Sequence, residues 1–125
     1  MPALRRILPA LVLLALVLPA SANAASSFCS PTGDFCYSAK KRDGVVRLGL
    51  GTFSFRGTVD VCVTAPDKTR SCKPFRLLER RGFYEIDARW SAHFPRKGPG
   101  TYRVTFAARQ VGTTFRPAVT FRLGR

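Results

Sequence analysis

The chain has 125 residues, with 21 Lys and Arg against 7 Asp and Glu for a formal +14, and 46% of its residues are hydrophobic. At that length one compact domain is expected and a second sizeable one is not. Ten Phe with many Val and Leu supply enough apolar area to exclude a disordered chain.

The first segment in chain order reads as a leader. Arg5 and Arg6 precede an apolar run from Ile7 to Leu18, and small residues follow through Ala22-Asn23-Ala24, the three parts of a cleavable signal peptide. The run is about 12 residues long where a membrane span needs roughly 20, so the mature form is expected to have no transmembrane span. Cleavage is expected after Ala24, making residues 1–24 a signal peptide and residues 25–125 a single secreted, extracellular domain. Taking the two leader arginines from the 21 basic residues leaves 19 against 7 acidic ones, a formal +12.

Four cysteines in a small exported domain read as two disulfides. Three connectivities are possible, and spacing favours Cys29–Cys36 around Pro31-Thr32-Gly33-Asp34 and Cys62–Cys72 around Ala65-Pro66-Asp67-Lys68-Thr69. Each bracket returns the chain on itself and brings its two Cβ atoms within bridging range. With His93 as the lone histidine and no Cys-x-x-Cys, neither a metal site nor a redox pair is expected.

The mature chain alternates with period two, as half-buried strands do. Val46, Leu48 and Leu50 alternate with Arg47, Gly49 and Gly51. Phe53, Phe55, Val59, Val61 and Val63 then continue in the opposite phase, which predicts a turn or bulge near Gly51-Thr52. If Cys62 faces Cys72, Val59 opposes Phe75, Gly57 opposes Leu77 and Val61 opposes Lys73. Apolar side chains then share one face and the cysteines the other, with Lys73 the odd member. Residues 75–81 also fit a turn of helix, but this register favours a strand. Tyr84, Ile86, Ala88 and Trp90 form the next inward row, followed by a loop from Ser91 to Gly100. Tyr102, Val104 and Phe106 point inward after it. Past a turn at Gln110-Val111-Gly112 come Phe115, Pro117, Val119, Phe121 and Leu123, with Pro117 marking an irregular start or an edge.

About seven short strands with turns between them predict an all-β, two-sheet antiparallel sandwich held by two local disulfides. The segments Gly98–Phe106 and Val119–Leu123 resemble the last two strands of immunoglobulin-like and fibronectin-type-III-like bacterial domains. That resemblance implies an immunoglobulin-like sandwich and a corner in which the Tyr102 hydroxyl bonds nearby backbone. The whole chain is similar to small secreted proteins of high-GC bacteria, which implies a compartment and no activity.

Residues for catalysis are sparse. His93 sits beside Trp90 and Phe94 with Ser91 two residues away, yet no nucleophile elbow surrounds any serine. Glu85 and Asp87 share a strand face as a glycosidase pair does, but arginine-rich surroundings suit ion pairs better than a general acid. No phosphate loop or dinucleotide fingerprint occurs. The chain is therefore read as non-enzymatic and without a cofactor.

The exceptional feature is charge, and 16 of the 21 basic residues are arginine, whose planar fork fits carboxylate, sulfate or phosphate. Lys40-Lys41-Arg42 forms a basic turn with Asp43-Gly44; Arg103, Arg116 and Arg122 point outward on the last two strands among threonines. If those strands pair around Gln110-Val111, Arg103 lies diagonal to Arg116, an arrangement that needs an anion or acidic neighbour. These six positions are the candidate anion-binding residues, toward an anionic cell-wall polymer, lipid headgroups or an acidic protein surface. Specific nucleic-acid binding is disfavoured because the aromatics fall on inward rows. The expected function is a non-catalytic adhesion module. The alternative is a secreted protein-interaction domain, an inhibitor or toxin-like effector, using the disulfide-braced loop 64–71 with Lys68 and Arg70 near its tip.

Overall fold

A computed structural model describes residues 25–125; the expected leader, residues 1–24, lies outside the described residues. The strands are β1 (Ser27–Cys29), β2 (Phe35–Arg42), β3 (Val45–Thr52), β4 (Thr58–Thr64), β5 (Arg70–Arg76), β6 (Leu78–Arg80), β7 (Phe83–Arg89), β8 (Gly100–Ala108), β9 (Thr113–Thr114) and β10 (Val119–Leu123). One helical turn, α1 (Trp90–His93), follows β7. Sheet A has the order β1-β2-β3-β7-β6; sheet B has β10-β8-β4-β5, with β9 on β8, and every pairing is antiparallel. With β2 taken as first strand, β2-β3-β7-β6 facing β10-β8-β4-β5 is the immunoglobulin-like order with one added strand beside β4.

The alternating rows build the layers. Leu48, Val59, Val61, Tyr102, Val104, Phe106 and Val119 are fully buried between the sheets. Their odd or even neighbours face outward. Aromatic rings close both ends of this core: Trp90, Tyr102 and Phe121 pack together at one end, and Phe35, Tyr37, Phe55 and Phe115 at the other. The Tyr37 hydroxyl donates to the Pro117 carbonyl at 2.5 Å, tying β2 to the chain that enters β10. The Tyr102 corner forms as well, its hydroxyl donating to the Gly98 carbonyl at 2.6 Å and accepting from the Lys97 N–H at 2.9 Å.

Both favoured disulfides are present, Cys29–Cys36 and Cys62–Cys72. The β4–β5 register is the one the cysteines imply, Val59 opposite Phe75 and Val61 opposite Lys73, with the Leu77 N–H reaching the Gly57 carbonyl at 2.8 Å. Lys73 is exposed although it has core-side parity, because β5 is the edge strand of sheet B. Buried Leu77 then marks the switch of the chain from β5 in sheet B to β6 in sheet A.

Four expectations are corrected. Thr52 completes the inward row of β3, so the phase changes after Phe53, not before it, and Phe53 is 67% exposed. Lys40, Lys41 and Arg42 belong to β2, while the turn is Asp43-Gly44 alone. Both turn residues have positive φ, as a two-residue hairpin matched to strand twist requires. The expected loop Ser91–Gly100 opens with the helical turn α1. Finally, Arg116 does not lie diagonal to Arg103. The hairpin register holds through Ala107 opposite Thr114, but irregular backbone around Arg116-Pro117 shifts it by two, and β10 places Thr120 opposite Arg103.

Candidate functional site

The outer face of sheet B carries an arginine and threonine ladder. Strand parity turns Thr58, Asp60, Cys62 and Thr64 outward on β4, and Thr101, Arg103 and Thr105 outward on β8. Across one row, Thr120, Arg103, Thr64 and Arg70 stand side by side; across the next, Arg122 faces Thr101. Neighbouring strands lie about 4.8 Å apart, so Arg122 sits diagonal to Arg103 on the next strand, and Arg70 lies two strands away across Thr64, about 10 Å, still within reach of two long side chains.

The face contains one engaged carboxylate. Asp60 accepts two bonds from Arg109, Nη2 to Oδ1 at 2.9 Å and Nε to Oδ2 at 3.0 Å. These hydrogen bonds hold its carboxyl below the ordinary aspartate range. Arg109 is thereby neutralised, whereas among the described residues no carboxylate pairs with Arg70, Arg103 or Arg122. Three like charges on adjoining rows with no local counterion repel one another and favour an incoming anion.

The candidate residues do not form one site. Arg103 and Arg122 come together on sheet B. Lys40 and Arg42 project from the outer face of sheet A; Lys41 is exposed at the end of β2, and Arg116 is exposed in the irregular stretch before β10. Arg70, expected near the tip of the braced loop, instead pairs with Thr64 in the row of Arg103.

Sequence reasoning missed a groove on the outer face of sheet A, about 800 Å³ in volume. Its floor is Gly49 and Gly51 of β3, flanked by Ser38 and the Cys29–Cys36 disulfide on one side and by Glu85 and Asp87 on the other. A Cβ at Gly51 would fall inside the Phe83 ring, which lies across the strand and packs against Phe53 at 4.9 Å. Asp87 reaches Arg47 at 3.4 Å and Glu85 reaches Arg80 at 3.1 Å. The available signal was Gly49-x-Gly51, two missing side chains at consecutive outward positions of one strand.

His93 packs edge-on against Phe75 at 5.0 Å, not against its neighbour Phe94. All four cysteines are in disulfides, and among the described residues no three His, Cys, Asp or Glu side chains gather to hold a metal ion. Among the same residues no helix is long and apolar enough to cross a membrane.

No protein-family model matches the chain, and no curated protein is significantly similar to it. Among solved structures, the chain is similar to the Br derivative of BhCBM56, a carbohydrate-binding module, at 17% identity and a TM-score of 0.45. The match covers 79% of this chain and all of that one. Likeness at that level assigns neither ligand nor activity to this chain.

Proposed function

We propose that the protein is an exported, non-catalytic module that adheres to an anionic cell-wall polymer through the outer face of sheet B. The observation that carries this reading is the set Arg70, Arg103 and Arg122 on adjoining rows without a carboxylate partner among the described residues. Guanidinium groups bind phosphate or carboxylate in a fork, and the threonines between them add hydroxyl donors. Two disulfides fit an oxidising compartment.

The braced loop is a rigid tip. Asp67 accepts from both the N–H and the hydroxyl of Thr69, and Ala65 exchanges backbone bonds with Thr69 and Lys68. Since Arg70 belongs to the basic face, Lys68 separates the two readings. Arg103→Glu with Arg122→Glu should abolish co-sedimentation with purified wall polymer, while Lys68→Glu keeps it. Retention of a protein partner that is lost only in Lys68→Glu would favour the interaction-domain reading. Preference for anionic lipid vesicles or an acidic protein over wall polymer would refute the stated partner.

A further inference from the structure

The geometry points to a second binding site, the groove on the outer face of sheet A, shaped for an acidic oligosaccharide. It faces away from the arginines of sheet B and stands independently of them.

At one end, Lys40, Arg47 and Arg89 occupy directly opposed positions on the three adjacent strands β2, β3 and β7. Like charges so placed destabilise a sheet. Asp87 offsets only Arg47, at 3.4 Å, with its own side chain 62% exposed. The row has the form of a receptor for a carboxylate or sulfate. At the other end, the half-buried Phe83 lines the groove, its ring packed against the exposed Phe53 just beyond it. Gly49 leaves the floor open as bare backbone, while Gly51 makes room for the Phe83 ring that closes the far end. Four residues of β3 separate Arg47 from Gly51, where the Phe83 ring lies, about 13 Å at the usual rise, which is room for about two sugar rings.

The chemistry selects among occupants. Glu85 and Asp87 line the long side, where they accept hydrogen bonds from hydroxyls but repel any chain charged at every unit, a phosphodiester or a polyuronate alike. A β-strand peptide adds at a sheet edge, and β3 is central, with its backbone already paired on both sides. A saccharide with ring hydroxyls toward β7, its apolar ring face on Phe83 and an acidic substituent at the cationic row satisfies all three walls.

The test is an amide NMR and calorimetric titration of the full secreted domain with hyaluronan- and chondroitin-type oligosaccharides, in which acidic and neutral rings alternate, each beside its carboxyl-reduced form. At least one acidic oligosaccharide should shift Gly49, Gly51 and Phe83, and its carboxyl-reduced form should bind at least tenfold more weakly. Gly49→Gln fills the groove without a clash, since a Cβ there meets Ser38 Oγ at 3.4 Å and the Ile86 carbonyl at 3.7 Å. It and Phe83→Ala should each weaken binding at least tenfold, while Arg103→Glu with Arg122→Glu changes it less than twofold. No shift in the groove with any of the probes overturns the proposal, as does equal binding of the reduced forms or undiminished binding by Gly49→Gln. Binding lost only with the sheet B arginines also overturns it, and leaves the adhesion reading intact.

Discussion

The Tyr102 hydroxyl joins two backbone groups of the loop that enters β8, so a single oxygen sets the angle at which the chain enters sheet B. Tyr102→Phe leaves both groups short of a partner and should cost about 1–2 kcal/mol in urea unfolding, with the fold retained. Asp60 is governed by Arg109, whose hydrogen bonds depress its carboxyl below the ordinary range. The pair therefore adds stability above the unfolded aspartate value, about 3.9, and the contribution is lost as the pH falls through the lower folded value. A carboxyl carbon titration should place Asp60 below a model peptide, and Arg109→Gln should return it to the ordinary value. Tyr102 was legible because Gly-x-Tyr is a local signature. Phe53 was not, because its ring keeps the outward parity of β3 one residue past the strand's end, where it meets Phe83, and the phase changes only after it.

The β4–β5 hairpin shows what a disulfide reveals about an element. Pairing Cys62 with Cys72 fixes every other pair in the ladder, and a slip of one residue would turn Phe75 of the edge strand to solvent while β8 holds Val59 and Val61 inward. Cys62→Ala with Cys72→Ala should lower stability by about 2–3 kcal/mol, read as a shift of the denaturant midpoint with the slope unchanged. Two neighbouring glycines of β3 should respond oppositely to alanine. Gly49→Ala has room and should be neutral or gain up to about 1 kcal/mol, as alanine loses less backbone freedom than glycine. Gly51→Ala must displace the Phe83 ring, and should melt lower than Gly49→Ala. The long strands were legible from period two. Strands β1, β6 and β9, of three, three and two residues, are too short to show any period. The shift that removes Arg116 from the ladder arises in irregular backbone that no alternation describes, so parity placed Arg103 and Arg122 on one sheet face but not Arg116.

At the scale of the molecule, a buried apolar interior forces the basic excess onto the two outer faces and the turns, where most cations lack a carboxylate to meet. Screening alone should therefore raise the melting temperature as salt rises from about 0.01 M to about 0.15 M. Binding should respond in the opposite sense, because each engaged arginine releases a counterion from the polymer. The most direct measurement is the dependence of log affinity for anionic wall polymer on log salt, for the native chain and for Arg103→Gln with Arg122→Gln. A steep negative slope that becomes shallower by roughly one unit for each arginine removed is the expected result. A flat slope, or one that those substitutions leave unchanged, would contradict the assignment of this face to polyanion binding.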